Sequence, residues 1–409
     1  MRVGVTSLWT KVRRFDYRFA IASGQFVMQS EGKFPNSFLS AEKGLRTQAI
    51  LVGLVSILLC LGLQMVFSAS LSSRPGNVES TFLVRQLTWL VIAAVSAWAV
   101  SLIPPLQLRK YAMHAWVVLL LLLIAVLVPA TGTRINGASR WLRIAGISLQ
   151  PSELGRIILP LLGIQLVQKL RSTSGIGLRS IPVIALPLLI TLPLVAVEPD
   201  LGATLFLLLA YSLALFFSGW PLRNFLACGL AVIPLGSLLL VLRPYQLSRI
   251  EGFLATWSDF RLAPWQVRQS LMSFGSGGLT GSGIGSGWQK LSYLPEANTD
   301  FIFAVIGEEL GLVGTLFVCL VWIGILRTGR NLLDSVPRNS FSWALGMTLL
   351  YQLVLQSMAN IAVVTAMVPP KGVPHPFLSY GGTSMLVSLC SIGLIIGAAR
   401  NRRPVQSNR

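Results

Sequence analysis

Four carboxylates lie at the start of one long apolar run, in the stretch YLPEANTDFIFAVIGEELG at residues 293–311. They are Glu296, Asp300, Glu308 and Glu309. A charged side chain close to hydrocarbon is costly and is usually retained for a function. Thr299 or Asp300 can cap the helix that the apolar run predicts, but one cap does not explain four acids. Partial burial at the head of this helix should raise the pKa of Asp300, which makes it a better proton acceptor.

A second polar group lies in RINGASRWLRIAGISLQPSELGR, residues 134–156, where Arg140 precedes Trp141. Ser152 is a candidate N-cap for the helix that follows. Glu153 and Arg156 are three residues apart, so the two side chains can pair on one helix face. A charge pair at membrane depth predicts a polar cavity.

Two further segments carry candidate site residues. In VEPDLGATL, residues 197–205, Asp200 follows a turn proline and can cap the next helix. In SFGSGGLTGSGIGSGWQK, residues 273–290, a glycine-rich run is followed by Gln289 and Lys290. The glycines are consistent with a flexible outer loop, or with backbone that must approach a bulky ligand closely.

A proline-rich segment, MVPPKGVPHPFLSYGGTSML at residues 367–386, completes the set. Its four prolines exclude a regular helix from Pro369 to about Phe377. Lys371 lies in this segment, and Ser379 opens the last apolar run. Irregular backbone at membrane depth is tolerated where it lines a cavity.

The elements that must position these residues are membrane-spanning helices. The chain has 409 residues, of which 53% are hydrophobic and only 11% are charged, whereas soluble domains carry about 25% charged residues. The four cysteines lie inside apolar runs, and with two histidines a histidine metal site is not expected. We therefore predict an all-α, polytopic membrane protein.

Ten apolar runs are long enough to cross a bilayer as helices: 48–70, 86–104, 112–130, 154–170, 181–197, 201–219, 223–242, 301–326, 340–367 and 379–399. Most Lys and Arg residues lie in the terminal tails and the even-numbered loops, so both termini are predicted to be cytoplasmic. The predicted organisation is a basic tail 1–46, a transmembrane domain 47–400 and a short basic tail 401–409. The long loops at about 131–153 and 243–300 then lie on the outer face. Anionic lipid headgroups account for the net charge of +19, so no nucleic-acid partner is needed.

The chain resembles the SEDS family of peptidoglycan glycosyltransferases, the FtsW and RodA type, over all ten spans. The resemblance rests on the motifs NGASRWL, LQPSELGR, EPDLGATL, PPKGVPHPFLSYGGTS and the run from residue 269 to residue 314. The run QKLSYLPEA and the pair Lys371-Gly372 are closer to the cell-division branch, FtsW, than to the elongation branch, RodA. The implied fold is the SEDS fold with ten transmembrane helices.

The resemblance implies polymerisation of lipid II at the outer face of the bacterial cytoplasmic membrane, at the division septum. It makes Asp300 the catalytic residue, which we interpret as the general base. It places Glu153 and Arg156 in the central cavity, with arginine where the family has lysine. The family usually has a histidine where this chain has Asn298. We add residues with candidate roles in binding substrate or organising the cavity: Arg140, Asp200, Gln289, Lys290, Glu296, Lys371 and Ser379.

The implied partners are lipid II, a class B penicillin-binding transpeptidase and other division proteins. A divalent cation, Mg²⁺ or Mn²⁺, could assist the cationic side chains at the pyrophosphate, and no residue is assigned to it. Three alternatives remain open: a flippase for the lipid-linked precursor, a non-catalytic scaffold, and the elongation polymerase. Charged cavities and broken helices also occur in transporters, but the acids of this chain cluster at the outer ends of its spans.

Overall fold

A computed structural model describes most of the chain. The described residues are 36–70, 78–128, 132–135, 138–144, 147–173, 175–198, 200–230, 244–288 and 294–400. The two predicted tails therefore lie largely outside the described residues. Gln289 and Lys290 lie outside them as well.

Helices dominate the described residues. They are α1 (Asn36–Ser70), α2 (Val78–Leu102), α3 (Pro105–Leu127), α4 (Pro151–Thr173), α5 (Ile181–Val197), α6 (Leu201–Phe217), α7 (Pro244–Ser258), α8 (Trp265–Gly277), α9 (Ile302–Leu333), α10 (Phe341–Val364) and α11 (Gly382–Arg400). Residues 222–230 are also helical.

Each predicted span except the seventh coincides with one of these helices, and the seventh is described only as far as residue 230. Among the described residues, seven helices are long and apolar enough to cross a membrane: Gly44–Ser70, Phe82–Leu102, Pro105–Leu127, Leu178–Val197, Ile302–Leu333, Phe341–Val364 and Gly382–Arg400. The apolar helix Gly202–Phe217 is shorter. The chain is thus a helical, multi-pass membrane protein, while the number of ten spans and the cytoplasmic termini stay predictions.

Small residues allow the helices to pack closely. Two clusters of buried apolar side chains form the interior, one centred on α9, α10 and α11 and the other on α3 to α6. On α11, Gly393 and Gly397 face the backbone of Ala97 and Ser101 on α2, and a Cβ at either glycine would overlap it. Close approach at small residues drives helix association where lipid offers no hydrophobic gain.

The first long loop contains a small sheet that the apolar pattern does not predict. Strands β1 (Gly132–Ile135), β2 (Ala138–Ile144) and β3 (Ile147–Leu149) form a three-stranded antiparallel sheet in the order β1-β2-β3. Leu142 pairs with Gly132 on one side and with Leu149 on the other. Strands of three to seven residues are too short for a clear periodic signal.

Helix α9 is interrupted by non-helical backbone at Gly311, where φ is 66° and ψ is −160°. A continuous helix would join the Leu312 and Val313 N–H groups to carbonyls four residues earlier. Instead, the Leu312 N–H donates to the carbonyl of Gly278 at 3.0 Å, and the Val313 N–H donates to that of Leu279 at 3.2 Å. The glycine-rich run thus supplies the acceptors for the interrupted helix.

The exchange is reciprocal. The carbonyls of Glu308 and Glu309, released by the interruption, accept hydrogen bonds from the N–H groups of Ser282 at 2.9 Å and Gly283 at 3.0 Å. Gly281 has a φ of +81°, and a Cβ there would overlap the Glu309 backbone. The close approach of α9 therefore explains why a glycine is needed at position 281. A bulky ligand, which was one of the two interpretations of the glycine-rich run, is not needed to explain this glycine.

Candidate active site

Asp300 lies in the turn that precedes α9. Its backbone carbonyl accepts a hydrogen bond from Asn360 Nδ2 at 2.7 Å. Its Oδ2 faces Gly372, where an added Cβ would lie 2.8 Å from it. The predicted caps are wrong, because Phe301 occupies the N-cap position and makes no side-chain cap. The Asp300 carboxylate faces the proline-rich segment and leaves the first turn of α9 uncapped.

The environment of Asp300 raises its pKa to about 7. Burial is the largest cause, and the nearby Glu296 and Asp200 carboxylates add to it, against Arg140 and Arg249. Within the described chain, no group donates a hydrogen bond to the Asp300 carboxylate. A carboxylate with these properties is half ionised near neutral pH, which suits a general base.

Glu296 and Ser379 hold the turn that carries Asp300. Thr299 Oγ1 donates to Glu296 Oε2 at 3.0 Å, and Glu296 adopts a left-handed backbone with φ of 56°. Ser379 Oγ donates to the Thr299 carbonyl at 2.6 Å. The Tyr380 N–H donates to the Asn298 carbonyl at 2.8 Å. The start of α11 is thereby joined to the residues that precede Asp300.

His375 is a buried histidine of the proline-rich segment. Its imidazole is fully buried, with Nε2 2.9 Å from Ser357 Oγ and Nδ1 3.1 Å from the Pro376 carbonyl. Burial lowers the pKa of His375 to about 4, so the ring is neutral at pH 7. Its backbone N–H donates to Ser379 Oγ at 2.7 Å. His375 therefore supports the turn through its backbone, and its ring pairs with Ser357.

Asp200 caps α6, as predicted, because its Oδ1 accepts from the Ala203 N–H at 2.9 Å. Its other oxygen, Oδ2, accepts from Gln150 Nε2 at 3.2 Å and pairs with Arg140 Nη1 at 3.6 Å. Arg140 extends from β2, so the small sheet brings a cation to the α5–α6 turn.

Glu198, which the sequence interpretation passed over as part of a turn, is a second buried acid beside Asp200. It is 1% exposed, and neither carboxylate oxygen has a hydrogen-bond partner in the described chain. Its backbone carbonyl accepts from Arg140 Nε at 3.1 Å. Burial, together with Asp200, raises the pKa of Glu198 to about 8. The available signal was its place in the chain, since Glu198 lies between two apolar runs that only three residues separate.

Glu153 and Arg156 form the predicted pair, with Arg156 Nη1 2.6 Å from Glu153 Oε2. Arg156 is 3% exposed and also donates to Gln356 Oε1 on α10. Gln356 Nε2 donates to the Pro374 carbonyl at 2.7 Å. The predicted Ser152 cap is wrong, since α4 begins at Pro151 and Ser152 Oγ has no partner among the described residues. The pair thus joins α4 to the proline-rich segment.

Lys371 and Arg249 lie on a cavity of about 310 Å³. The rest of its lining is apolar and comes from α6, α7, α10 and the proline-rich segment: Leu205, Phe206, Leu209, Ile250, Ala359, Val363, Val368, Pro369, Pro370 and Val373. Arg249 Nη1 donates to the Pro370 carbonyl at 3.3 Å. Burial and the neighbouring Arg249 lower the pKa of Lys371. The cavity is therefore apolar with two cations at one side.

The carboxylates of Glu308 and Glu309 bind the glycine-rich run. Glu309 accepts from Ser68 Oγ at 2.6 and 2.8 Å and from the Gly285 N–H at 3.0 Å. Glu308 Oε1 accepts from the Trp288 N–H at 2.6 Å. These two acids therefore join α9 to α1 and to residues 285–288, which precede the segment leading to Asp300.

The described residues do not fit a protein-held metal ion. No group of three or more His, Cys, Asp or Glu side chains among them could hold one. Asp200 is engaged by Arg140, and Glu308 and Glu309 accept from backbone and hydroxyl donors. A divalent cation held at the pyrophosphate, with no residue assigned to it, stays a prediction.

Residues 48–404 match the family model for FtsW, RodA and SpoVE, described as cell cycle protein. The chain is 36% identical over 350 residues to "Probable peptidoglycan glycosyltransferase FtsW" of Trichlorobacter lovleyi, covering 85% of this chain and 91% of that protein. It is 39% identical over 351 residues to the protein of the same name from Coxiella burnetii, covering 84% and 93%.

Two solved structures are similar over almost their whole length. One is described as "Structural coordination of polymerization and crosslinking by a peptidoglycan synthase complex", with a TM-score of 0.69 and 27% identity over 86% of this chain and 97% of that one. The other is the rod shape determining protein RodA of Thermus thermophilus, with a TM-score of 0.61 and 27% identity over 87% and 97%.

Proposed function

Because this chain belongs to the FtsW, RodA and SpoVE family, we propose that it is a peptidoglycan glycosyltransferase of the FtsW type, acting in cell division. Its substrate is lipid II, taken at the outer face of the cytoplasmic membrane. The observation that carries the proposal is Asp300, a carboxylate without a described donor whose pKa is raised to about 7. Its Oδ2 faces Gly372, and both chain neighbours of that glycine, Lys371 and Val373, line an apolar cavity that also has Arg249 in its lining.

The reaction needs one base and a counter-charge. The Asp300 carboxylate takes the proton from the 4-hydroxyl of the acceptor GlcNAc, and that oxygen attacks the anomeric carbon of the growing chain. The bond from this carbon to the pyrophosphate oxygen breaks, and undecaprenyl pyrophosphate leaves with the electron pair. Pyrophosphate is a good leaving group and needs positive charge in place of a general acid. This differs from glycoside hydrolysis, which uses two carboxylates.

The geometry ranks the candidate cations. Arg140 pairs with Asp200, and Arg156 with Glu153, so each is held by an acid. Arg249 and Lys371 border the apolar cavity, Arg249 acts on the pKa of Asp300, and Lys371 is the chain neighbour of Gly372, which faces the Asp300 carboxylate. We assign the leaving pyrophosphate to these two cations, with its lipid in the apolar cavity. Arg140, Glu153, Arg156 and Asp200 then shape the site, and Glu296 and Ser379 hold its turn.

The partner is a class B penicillin-binding transpeptidase at the division septum. One solved neighbour is described as a complex that coordinates polymerisation with crosslinking. Contacts with such a partner, and with lipid II and other division proteins, belong to this proposal. They would use outer loops and membrane-facing helix surfaces.

Purified chain with its cognate transpeptidase, in liposomes with lipid II, tests the proposal. Formation of glycan polymer is expected, and it should increase when the transpeptidase is added. Transbilayer movement of lipid II without polymer would instead assign a flippase. Neither polymer nor movement would assign a scaffold.

A further inference from the structure

We propose that Asn360 is the positioning residue of this site: its amide fixes the backbone of Asp300 against the segment that carries Lys371 and Gly372. The inference rests on the proposed function, because Asn360 acts through Asp300. Asn360 lies on α10 and is not marked by any motif used above.

The amide of Asn360 joins two separate parts of the chain. It is fully buried, and Nδ2 donates to the carbonyls of Asp300 and Val373, each at 2.7 Å. Gly372, immediately before Val373, faces the Asp300 carboxylate. Asn360, together with Ser379, therefore sets how closely that carboxylate approaches the proline-rich segment.

The contacts require an amide in one orientation. Two carbonyl oxygens can be satisfied together only by the two hydrogens of an NH₂ group, so Nδ2 must face them. Asn360 Oδ1 has no partner among the described residues, although it is buried. Leaving a buried acceptor unpaired is unfavourable. The amide is retained at this cost, and positioning of Asp300 explains why.

Fixing the two segments together holds the half-buried Asp300 carboxylate against Gly372 and limits its contact with water. The charged groups that act on its carboxylate are Glu296, Asp200, Arg140 and Arg249, and Lys371 lies next to Gly372. If Asn360 is lost, water enters and the proton affinity of Asp300 falls. Replacement of Asn360 by aspartate also removes the NH₂ donors, since a carboxyl group has no N–H to give to the two carbonyls.

The test measures lipid II polymerisation against pH, per folded molecule, by the full chain with its transpeptidase. Three variants are compared: Asn360→Ala, Asn360→Asp and the milder Asn360→Ser, which keeps one donor. Thr348→Val is the matched control. Thr348 is buried on the same helix, and its hydroxyl donates to the Ala344 carbonyl of that helix, 2.7 Å away.

A misplaced base lowers the rate by about 10- to 100-fold. Asn360→Ala should show this loss in kcat with a small change in KM, and the midpoint of its acid limb should move to lower pH. Asn360→Asp, which keeps the size of the side chain but lacks the NH₂ group, should lose rate as Asn360→Ala does, and Asn360→Ser should be intermediate in rate. Thr348→Val should match the wild type in both quantities.

If Asn360 only stabilises the fold, a different result is expected. In that case activity falls with the amount of folded protein while the acid limb stays in place in every Asn360 variant, and this result would overturn the inference. Wild-type rates in the Asn360 variants would overturn it too, while leaving the proposed function intact. Absence of polymer from the wild-type chain would overturn the proposed function first and the inference with it.

Discussion

The acids before and inside α9 are close in sequence but differ in their surroundings. The Glu308 and Glu309 carboxylates accept hydrogen bonds from Ser68 Oγ and from backbone N–H groups. The Asp300 carboxylate accepts none from the described chain, and its pKa is raised to about 7. Donors stabilise the charged form of an acid and make it a fixed anchor. An acid without donors is left able to take up and release a proton near pH 7.

The same contrast separates the acids beside α4 and α5. Glu153 is paired with Arg156, whereas Glu198 is buried with neither oxygen bonded within the described chain. The acids therefore fall into two classes: those whose carboxylates are held by hydrogen-bond donors or a cation, and those whose carboxylates accept no hydrogen bond within the described chain. Asp300 and Glu198 of the second class, Glu309 of the first and the two cavity cations are changed in turn.

The largest effect is expected from Asp300→Asn. Asparagine keeps the size of the side chain and the backbone bond to Asn360, and it removes only the base. Polymerisation should fall by about 10²-fold or more, the usual contribution of general-base catalysis. Membrane level and binding to the transpeptidase should stay at wild-type values. Pull-down with the partner, beside the polymerisation assay, checks both parts.

The pH dependence of the wild-type rate is the next test. Because the Asp300 pKa is raised to about 7, the rate should rise with pH and level off above that value. Well below it, the rate should fall about tenfold per pH unit, as the ionised fraction does. On the alkaline side, Lys371 should lose its charge below the usual pH for a lysine, because burial lowers its pKa. The informative range runs from about two units below this pKa, near pH 5, up to about pH 7. A rate that does not change with pH over this range would contradict this account.

Neutralising either cavity cation should have an effect of about tenfold. Arg249→Gln and Lys371→Gln each remove a positive charge that we assign to the leaving pyrophosphate. Arg261→Gln is the matched control, because Arg261 is exposed and lies in the turn that follows α7, the helix that carries Arg249. The ratio of kcat/KM for lipid II is the quantity to compare. Equal losses in all three variants would show a general charge effect on the outer surface.

Glu309→Gln should affect stability more than chemistry. Glutamine cannot accept from all the donors that meet the carboxylate, and a lost bond to a charged group costs about 1–3 kcal/mol. The unfolding midpoint should fall, while the rate per folded molecule stays within about fivefold of the wild type. Glu251→Gln, at an exposed acid of α7, is the control. A Glu309→Gln enzyme that is stable but inactive would show that Glu309 contributes to the reaction and not mainly to stability.

The smallest effect is expected from Glu198→Gln. The folded state raises the Glu198 pKa to about 8, so its neutral form is favoured and stability is greatest at low pH. That contribution is lost as pH rises from about 4.5, the usual value, through about 8. Glutamine stays neutral, so the variant should lose less stability over this range. The unfolding midpoints of the wild type and the variant are measured at several pH values. The midpoint of the wild type minus that of the variant should fall as the pH rises.

Much of this arrangement is encoded locally and could be predicted. The helices follow from long apolar runs, the Glu153–Arg156 pair from spacing on one helix face, and the Asp200 cap from its position after Pro199. The irregular segment around Lys371 follows from its prolines. In each case the signal lies within a few residues of the feature.

The remainder depends on contacts between distant segments. Asn360 meets Asp300 and Val373 from another helix, and the interruption at Gly311 is stabilised by carbonyls of a loop more than 30 residues earlier. No local pattern encodes such pairs. The cap predictions at Ser152, Thr299 and Asp300 are wrong for the same reason, since tertiary contacts decide where the turn points.

The most direct test places Asp300→Asn and Glu309→Gln side by side. For each variant, with the transpeptidase present, the glycan polymer formed per folded molecule and the unfolding midpoint are measured in the same preparation. The account predicts opposite outcomes: Asp300→Asn keeps its midpoint and loses polymer, while Glu309→Gln lowers its midpoint and keeps polymer. Near-wild-type polymerisation by Asp300→Asn would contradict it, and the base would then have to be sought elsewhere, with Glu153 as the next candidate.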